Sequence, residues 1–379
     1  MSSVSKCNFF TRGFAMVSGL AFSLNVFAFE ARVGIILPLT GSQAYYGKDA
    51  KKGIDIALEE LQKSDPSIKI YVEDSASSPA ESAKAMNKLI TSDKVIAVIG
   101  EMTSSSTIAA GSIAEKAKIP ILTPSATNDT ITDNKKYIFR TCFKDNFQGV
   151  VMGDFSYTNL SAKTAIILED ADSDYSKGLA ENFKATFEEK GGKILKILKF
   201  SQKDTTFTSQ LGDVRKMKPD VLFIPAFHQQ VAVIIREAKD LQIKSKLVGT
   251  DGWDTPELRQ IAKGAENGGY FSNHYSHESK NPTLQKFIKI YNEKYKTQPS
   301  AFSALGYDSM KMIYEAIKNA NSPNSEKVRD ELSKIKNFDG VTGNISMDKN
   351  NNAIKPAVIL QFIPNGYKFI TSVLPEQKN

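Results

Sequence analysis

Short apolar runs alternate along this chain with stretches whose apolar residues recur every three or four positions, from Arg32 almost to the end. Residues 33–37 form one such run, and Ile68, Ile70 and Val72 alternate as a half-buried strand does. Between them Ala50, Ile54, Ala57, Leu58 and Leu61 mark the inner stripe of a helix. Pro79 suits the first turn of the next helix. The units continue through 95–99, a helix from Ser104, and 119–122. A second series begins near Thr164, with strands over 165–168, 194–200, 221–225 and 247–249. Its helices are predicted over 176–190, Thr208–Met217 and 231–241, and Gly191-Gly192 stops the first of them. Repeated strand–helix–strand units give parallel sheets with right-handed crossovers and helices on both faces. Two series therefore predict an α/β protein of two similar, doubly wound lobes. Helical spacing returns over 283–295, 302–319 and 325–335, before two late strands at Ala357–Ile363 and 367–370.

The first residues read differently. Lys6 and Arg12 precede an apolar stretch over 14–24, and Val26-Phe27-Ala28 is a small-residue cleavage site, the pattern of an export signal cleaved after Ala28. The stretch is too short and broken to span a bilayer, which takes roughly 18 or more apolar residues. A lipid anchor would need a cysteine at the cleavage point, whereas Cys7 precedes the apolar stretch. The chain beyond Ala28 is too long for one ordinary domain and suits two of roughly 150 residues or more. Without the leader the net charge goes from +7 to +5, spread among interleaved Lys and Asp/Glu, which argues against a nucleic-acid partner. Cys142 alone remains, so no internal disulfide is expected and the residue reads as a small buried hydrophobe.

In open parallel sheets ligands bind beyond the carboxyl ends of the strands. Two hydroxyl-rich runs lie there: Gly100-Glu101-Met102-Thr103-Ser104-Ser105-Ser106-Thr107 and Thr123-Pro124-Ser125-Ala126-Thr127. Clustered hydroxyls opening a helix offer several donors to a small anion such as a carboxylate, although Ser104–Thr107 also fits a plain helix cap. Other predicted strand ends carry a loop over 38–47 with Tyr45 and Tyr46, then Tyr175, Phe227-His228, and Asp251-Gly252-Trp253. A cleft between such faces suits a zwitterion with an apolar side chain. Its carboxylate would meet Ser104 and the backbone around Thr127, and its ammonium would meet Asp251. Asp251-Gly252 read alone is also a common turn, and Tyr175 could be a core aromatic.

Catalytic and metal signatures are missing. There is no G-x-G-x-x-G after a strand, no P-loop and no G-x-S-x-G elbow. Asp170, Asp172 and Asp174 alternate like calcium ligands but lack the glycine and distant glutamate of such a loop. His274-x-x-His277, without thiols or a helical general base, reads as a surface loop. No cofactor and no metal are expected. An α/β hydrolase using His228 as base stays as an alternative.

These residues resemble the type I periplasmic binding proteins of the Leu/Ile/Val-binding branch, which deliver amino acids to ABC importers. The resemblance covers essentially the whole chain after the leader. It rests on Val33-Gly34-Ile35-Ile36-Leu37-Pro38-Leu39-Thr40-Gly41, Gly47, Ile99-Gly100, both hydroxyl runs, Tyr175-Ser176-Lys177-Gly178, Phe227-His228 and Gly249-Thr250-Asp251-Gly252. It implies two lobes joined by a hinge with three crossovers, divided as 29–144 with 276–345 and 145–275 with 346–379. It implies that Ser104 and Thr127 hold a ligand carboxylate and help hold the ammonium, and that backbone at Ser125, next to Ala126, also meets the ammonium. It further implies that Asp251 pairs with the ammonium, that Tyr175 closes over the ligand, and that Tyr45, Tyr46 and Phe302 line the side-chain pocket. A periplasmic monomer serving a membrane permease is the corresponding expectation. The chain departs from the pattern at Phe227, where many members carry a tyrosine donor, and at Asp251, where the closest members carry glutamate, with Trp253 next to it in the same turn. Ala76 and Thr103 stand where some members form a disulfide. A binding protein for an uncharged amide or urea derivative is the other reading.

Overall fold

The computed structural model describes residues 1–2, 29–65 and 67–375, so the export signal and its cleavage point lie outside the described residues. In chain order the first lobe runs β1 (Ala31–Leu37), α1 (Ala44–Gln62), β2 (Ile68–Asp74), α2 (Pro79–Thr91), β3 (Ala97–Ile99), α3 (Ser104–Ala117), β4 (Ile121–Thr123) and β5 (Ile138–Arg140). Next come α4 (Asp145–Thr158), β6 (Thr164–Asp170), α5 (Asp174–Glu189), β7 (Lys193–Phe200), α6 (Thr208–Met217), β8 (Val221–Phe223), α7 (His228–Asp240), β9 (Lys246–Gly249), α8 (Pro256–Ala262) and β10 (Tyr270–Asn273). The chain ends with α9 (Pro282–Tyr295), α10 (Ala301–Ala320), α11 (Ser325–Ser333), β11 (Phe338–Gly340), β12 (Gly343–Met347), β13 (Ala353–Ile354), β14 (Ala357–Ile363) and β15 (Gly366–Val373).

The first sheet is parallel in the order β2-β1-β3-β4-β5, with Val33 level with Ile70 on one side and Ala97 on the other. The second repeats that order as β7-β6-β8-β9-β10 and then adds β14 and β15, both antiparallel. Period-two alternation divides each sheet between two cores. Val33, Ile35 and Leu37 face the cluster that includes α1 and α10, while Ile36 faces the one beneath α2 and α3. In β6, Ile166 and Leu168 face one side and Ala165 and Ile167 the other. Burial on both faces is why these strands read as unbroken apolar runs.

The chain passes between lobes after β5, after β10, and between β13 and β14. The last passage lies beyond the 345 expected, because Met347 and Ala353 pack into the first lobe's core. The return after β10 brings α10 across α1 at two glycines. A Cβ on Gly53 would lie 1.8 Å from the Ser303 carbonyl oxygen, and one on Gly306 would lie 2.3 Å from that of Ala50. No larger residue permits this approach, and it seats Phe302, in the first turn of α10, at the edge of the cleft. Tyr45 and Tyr46 sit in the first turn of α1 rather than in a loop. Among the described residues no helix is long and apolar enough to cross a membrane.

Candidate functional site

A pocket between the lobes is lined by Tyr46, Met102, Thr103, Ser104, Ser125 and Phe302 from the first lobe and by Tyr175, Phe227, Asp251 and Gly252 from the second. On the first side, Thr103 precedes α3 with extended backbone but makes no side-chain cap. The helix thus presents uncapped amide donors, with their partial positive charge, to the pocket. The Ser104 hydroxyl accepts the Asn128 amide at 3.2 Å, and the Ser125 hydroxyl donates to the Met102 carbonyl at 2.7 Å. These bonds fasten the two hydroxyl runs to each other. Arg140, wholly buried on β5, fixes the second run from behind. Its guanidinium donates to the carbonyls of Ala126, Thr127 and Asn128 at 3.3, 2.6 and 2.9 Å. The Thr127 hydroxyl is buried beside the buried Asp145 carboxyl.

Asp251 dominates the opposite side. Its Oδ1 accepts the Tyr175 hydroxyl at 2.6 Å and its Oδ2 lies 3.1 Å from His274 Nε2. A carboxylate only accepts, so Nε2 carries the imidazole proton. Burial pushes His274 down to about 4, leaving the ring neutral, and the ring stacks on Phe143 with centroids 3.9 Å apart. The Asp251 amide is held by Gln148 Oε1 at 3.0 Å, which also accepts the Ser272 hydroxyl at 2.6 Å. Tyr175 is fixed further by Thr250 at 2.6 Å, by the Gly252 amide at 3.1 Å, and by stacking on Phe227 at 5.1 Å and 9°.

Direct bonds hold the lobes together. Tyr46 donates to the Gly252 carbonyl at 2.8 Å and lies 2.8 Å from His228 Nδ1, whose Nε2 is 2.8 Å from Glu257. At the other side of the cleft Ser105 donates to Asp174 at 2.8 Å, and Asn128 donates to the Asp174 carbonyl at 2.7 Å. The free space left in the pocket is about 10 Å³, room for about one water. Anything as large as an amino acid therefore enters only when the lobes part.

Of the sequence-derived site residues, Ser104, Ser125, Tyr175, Phe227, Asp251, Tyr46 and Phe302 meet in this one pocket. Ala126 and Thr127, both buried and next in the chain to Ser125, are not among the residues that line it. Tyr45 packs its ring against Tyr46 and His228, both at 6.3 Å, and lies outside the lining. Trp253 is also absent from the lining. A Cβ on Gly249 would lie 2.0 Å from its indole, which covers that glycine inside the second core and donates to the Ile224 carbonyl at 3.1 Å. His274 is the clearest correction. Its side chain is wholly buried and supports Asp251, whereas the His-x-x-His spacing without thiols predicts a surface loop. Met102, Thr103 and Gly252 line the pocket unforeseen, although Thr103 and Met102 stand inside the first hydroxyl run. Arg140 and Gln148 gave no signal, because their roles depend on strands and helices the apolar pattern did not reveal.

Two sheet lobes closing a polar-ended, aromatic-sided pocket between them define a ligand-capture protein. The chain belongs to the periplasmic binding protein family, matched over residues 30–367. It is 28% identical over 341 residues to a leucine-, isoleucine-, valine-, threonine- and alanine-binding protein of Pseudomonas aeruginosa, covering 88% of this chain and 89% of that one. The solved leucine-binding protein LivK of Thermotoga maritima superposes with a TM-score of 0.88 at 35% identity, covering 91% of this chain and 99% of that one. The branched-chain amino acid transporter substrate-binding protein LivJ of Streptococcus pneumoniae, solved with isoleucine, gives 0.84 at 31% identity over 89% and 99%.

Proposed function

We propose that this chain is the periplasmic substrate-binding component of an ABC importer and that it captures one amino acid with an apolar side chain between its lobes. The observation that carries this reading is the opposition, across a single pocket, of the uncapped α3 terminus with Ser104 to the Asp251 carboxylate. The names of the relatives above agree with it. The ligand carboxylate goes to the amides of α3 and to the Ser104 and Thr127 hydroxyls, and backbone at Ser125 joins in holding the ammonium. Each oxygen of Asp251 accepts more than one bond, so an ammonium adds to the Tyr175 and His274 bonds rather than displacing them. Tyr46, Phe302, Tyr175 and Phe227 surround the side chain.

Phe227 brings no hydroxyl, which leaves the carboxylate to the first lobe. Burying a zwitterion is costly unless both ends are matched by charge-assisted hydrogen bonds, each worth roughly 1.5–3 kcal/mol. We assign no catalytic step, since His228, the histidine beside the pocket, is engaged by Tyr46 and Glu257. The moving bodies are taken as 29–144 with 276–354 and 145–275 with the strands from Ala357 onward. The mature chain is taken to begin at Phe29 in the periplasm, as a monomer that presents both closed lobes to a permease.

Calorimetry on protein unfolded and refolded to strip carried-over ligand tests the reading against a panel of amino acids, amides and urea derivatives. One or a few apolar amino acids should bind, and Asp251→Ala should weaken them roughly 10- to 150-fold, the worth of one charge-assisted bond. Binding of amides alone, or unchanged affinity in the variant, would sink the zwitterion reading.

A further inference from the structure

The residues lining the interlobe pocket face one another across about the width of one water, since its free space is only about 10 Å³. Five of them carry hydroxyls: Tyr46, Thr103, Ser104, Ser125 and Tyr175. Three of those protons are committed. Tyr46 donates to the Gly252 carbonyl, Ser125 to the Met102 carbonyl and Tyr175 to the Asp251 carboxylate. Ser104 accepts the Asn128 amide and keeps its own proton to give. The Thr103 hydroxyl neither caps α3 nor bonds to any other described residue.

Thr103 is nonetheless firmly placed. Its amide donates to the buried Glu101 carboxylate, and its carbonyl accepts the Thr107 amide at 2.9 Å and the Thr107 hydroxyl at 2.8 Å. Met102 and Ser104 on either side are buried, whereas Thr103 stays partly open. A threonine in this position ordinarily turns its oxygen back onto an amide of the first helical turn. Here it does not, so the hydroxyl and the amides of α3 are both left for another group. Two neighbouring hydroxyl donors beside uncapped amides call for an acceptor with several lone pairs, and a carboxylate is one. The second lobe offers such a group nothing. Phe227 has no hydroxyl, and Asp251 repels a like charge.

We propose that Thr103 donates its hydroxyl proton to the carboxylate of the captured amino acid, as a second side-chain donor beside Ser104. The assignment rests on the amino-acid reading of the cleft and deepens it. Thr103 supplies from the first lobe a donor that the second lobe lacks at Phe227. The carboxylate is thereby gripped by one lobe, and closure adds Asp251 at the other end of the ligand.

Two substitutions separate a hydroxyl role from a packing role. Thr103→Val keeps the shape and loses the donor, whereas Thr103→Ser keeps the donor and loses the methyl. Calorimetry on the full mature protein, refolded to strip carried-over ligand, uses L-leucine, or the tightest binder of the amino-acid panel where leucine does not bind. The valine variant should bind roughly tenfold or more weakly, as loss of a bond to a charged group implies, and the serine variant within about threefold of the parent. Should the valine variant fail to fold, a crystal of the parent with the bound amino acid decides, with Thr103 Oγ1 expected within hydrogen-bond distance of a carboxylate oxygen. Unchanged affinity in folded Thr103→Val, a larger loss in Thr103→Ser than in Thr103→Val, or a crystal in which Oγ1 meets only water would each overturn the assignment and leave the cleft reading standing. A parent that binds no amino acid overturns both.

Discussion

Glu101 and His274 are both fully buried close to the pocket, and they place opposite demands on protons. Burial raises Glu101 to about 7, against the opposing pull of the Ser75 and Ser82 hydroxyls and of the Met102 amide, which donates to one carboxylate oxygen at 2.8 Å. Between its usual 4.5 and about 7 the folded chain keeps a proton that the unfolded chain has released, so stability falls as pH rises through that window. His274, pushed down from 6.5 to about 4, refuses a proton that the unfolded chain accepts, so its contribution is lost as pH falls through that range. Glu101→Gln isolates the first effect. In urea unfolding, the variant should gain on the parent by roughly 3 kcal/mol between pH 4.5 and pH 8, and a pH-independent difference would show that Glu101 ionises freely. Such side chains were largely invisible beforehand. The hydroxyl runs and Asp251 could be read because their chemistry sits at strand ends, whereas the fates of Trp253 and His274 are decided by Gly249 and Phe143, which only the fold brings to them.

Helix α10 depends on its crossing with α1, where Gly53 and Gly306 replace side chains with backbone contact. Gly306→Ala would drive a methyl to within 2.3 Å of the Ala50 carbonyl oxygen, and overpacking of this kind costs roughly 1–3 kcal/mol. A thermal melt should fall by several degrees, and ligand affinity should fall with it, since Phe302 is carried on the same helix. An unchanged melt would mean that the helices part without cost. The long alternating segments were readable because each strand and its helix bury a continuous apolar face. The pattern failed where that face is interrupted. Strand β5 is three residues ending in a buried arginine, and β10 ends in Ser272-Asn273. Helix α4 carries Gly149 and Gly153, and it buries Asp145, Gln148 and Ser156 among its apolar residues, which blurs the stripe.

Closure of the two lobes rests on contacts at the cleft mouth as well as on any ligand. Tyr46→Phe removes the hydroxyl that reaches the Gly252 carbonyl and His228 while keeping the ring beside Phe302. Ligand affinity should fall roughly five- to tenfold, about the worth of one hydrogen bond, and small-angle scattering should show a more open average shape. Equal scattering from both proteins would show that Tyr46 does not hold the lobes. The two-lobed plan was legible from two series of strands and helices, but the division expected after 345 falls ten residues short of the third passage at 355–356, because short β13 belongs with the first lobe and β14 with the second. Cys142, the one cysteine after Cys7, is buried, and burial pushes it up to about 12. Maleimide fluorophores would therefore ignore the native chain from Phe29 onward and react only with cysteines engineered onto each lobe's surface, making this scaffold a ready starting point for a reagentless optical sensor.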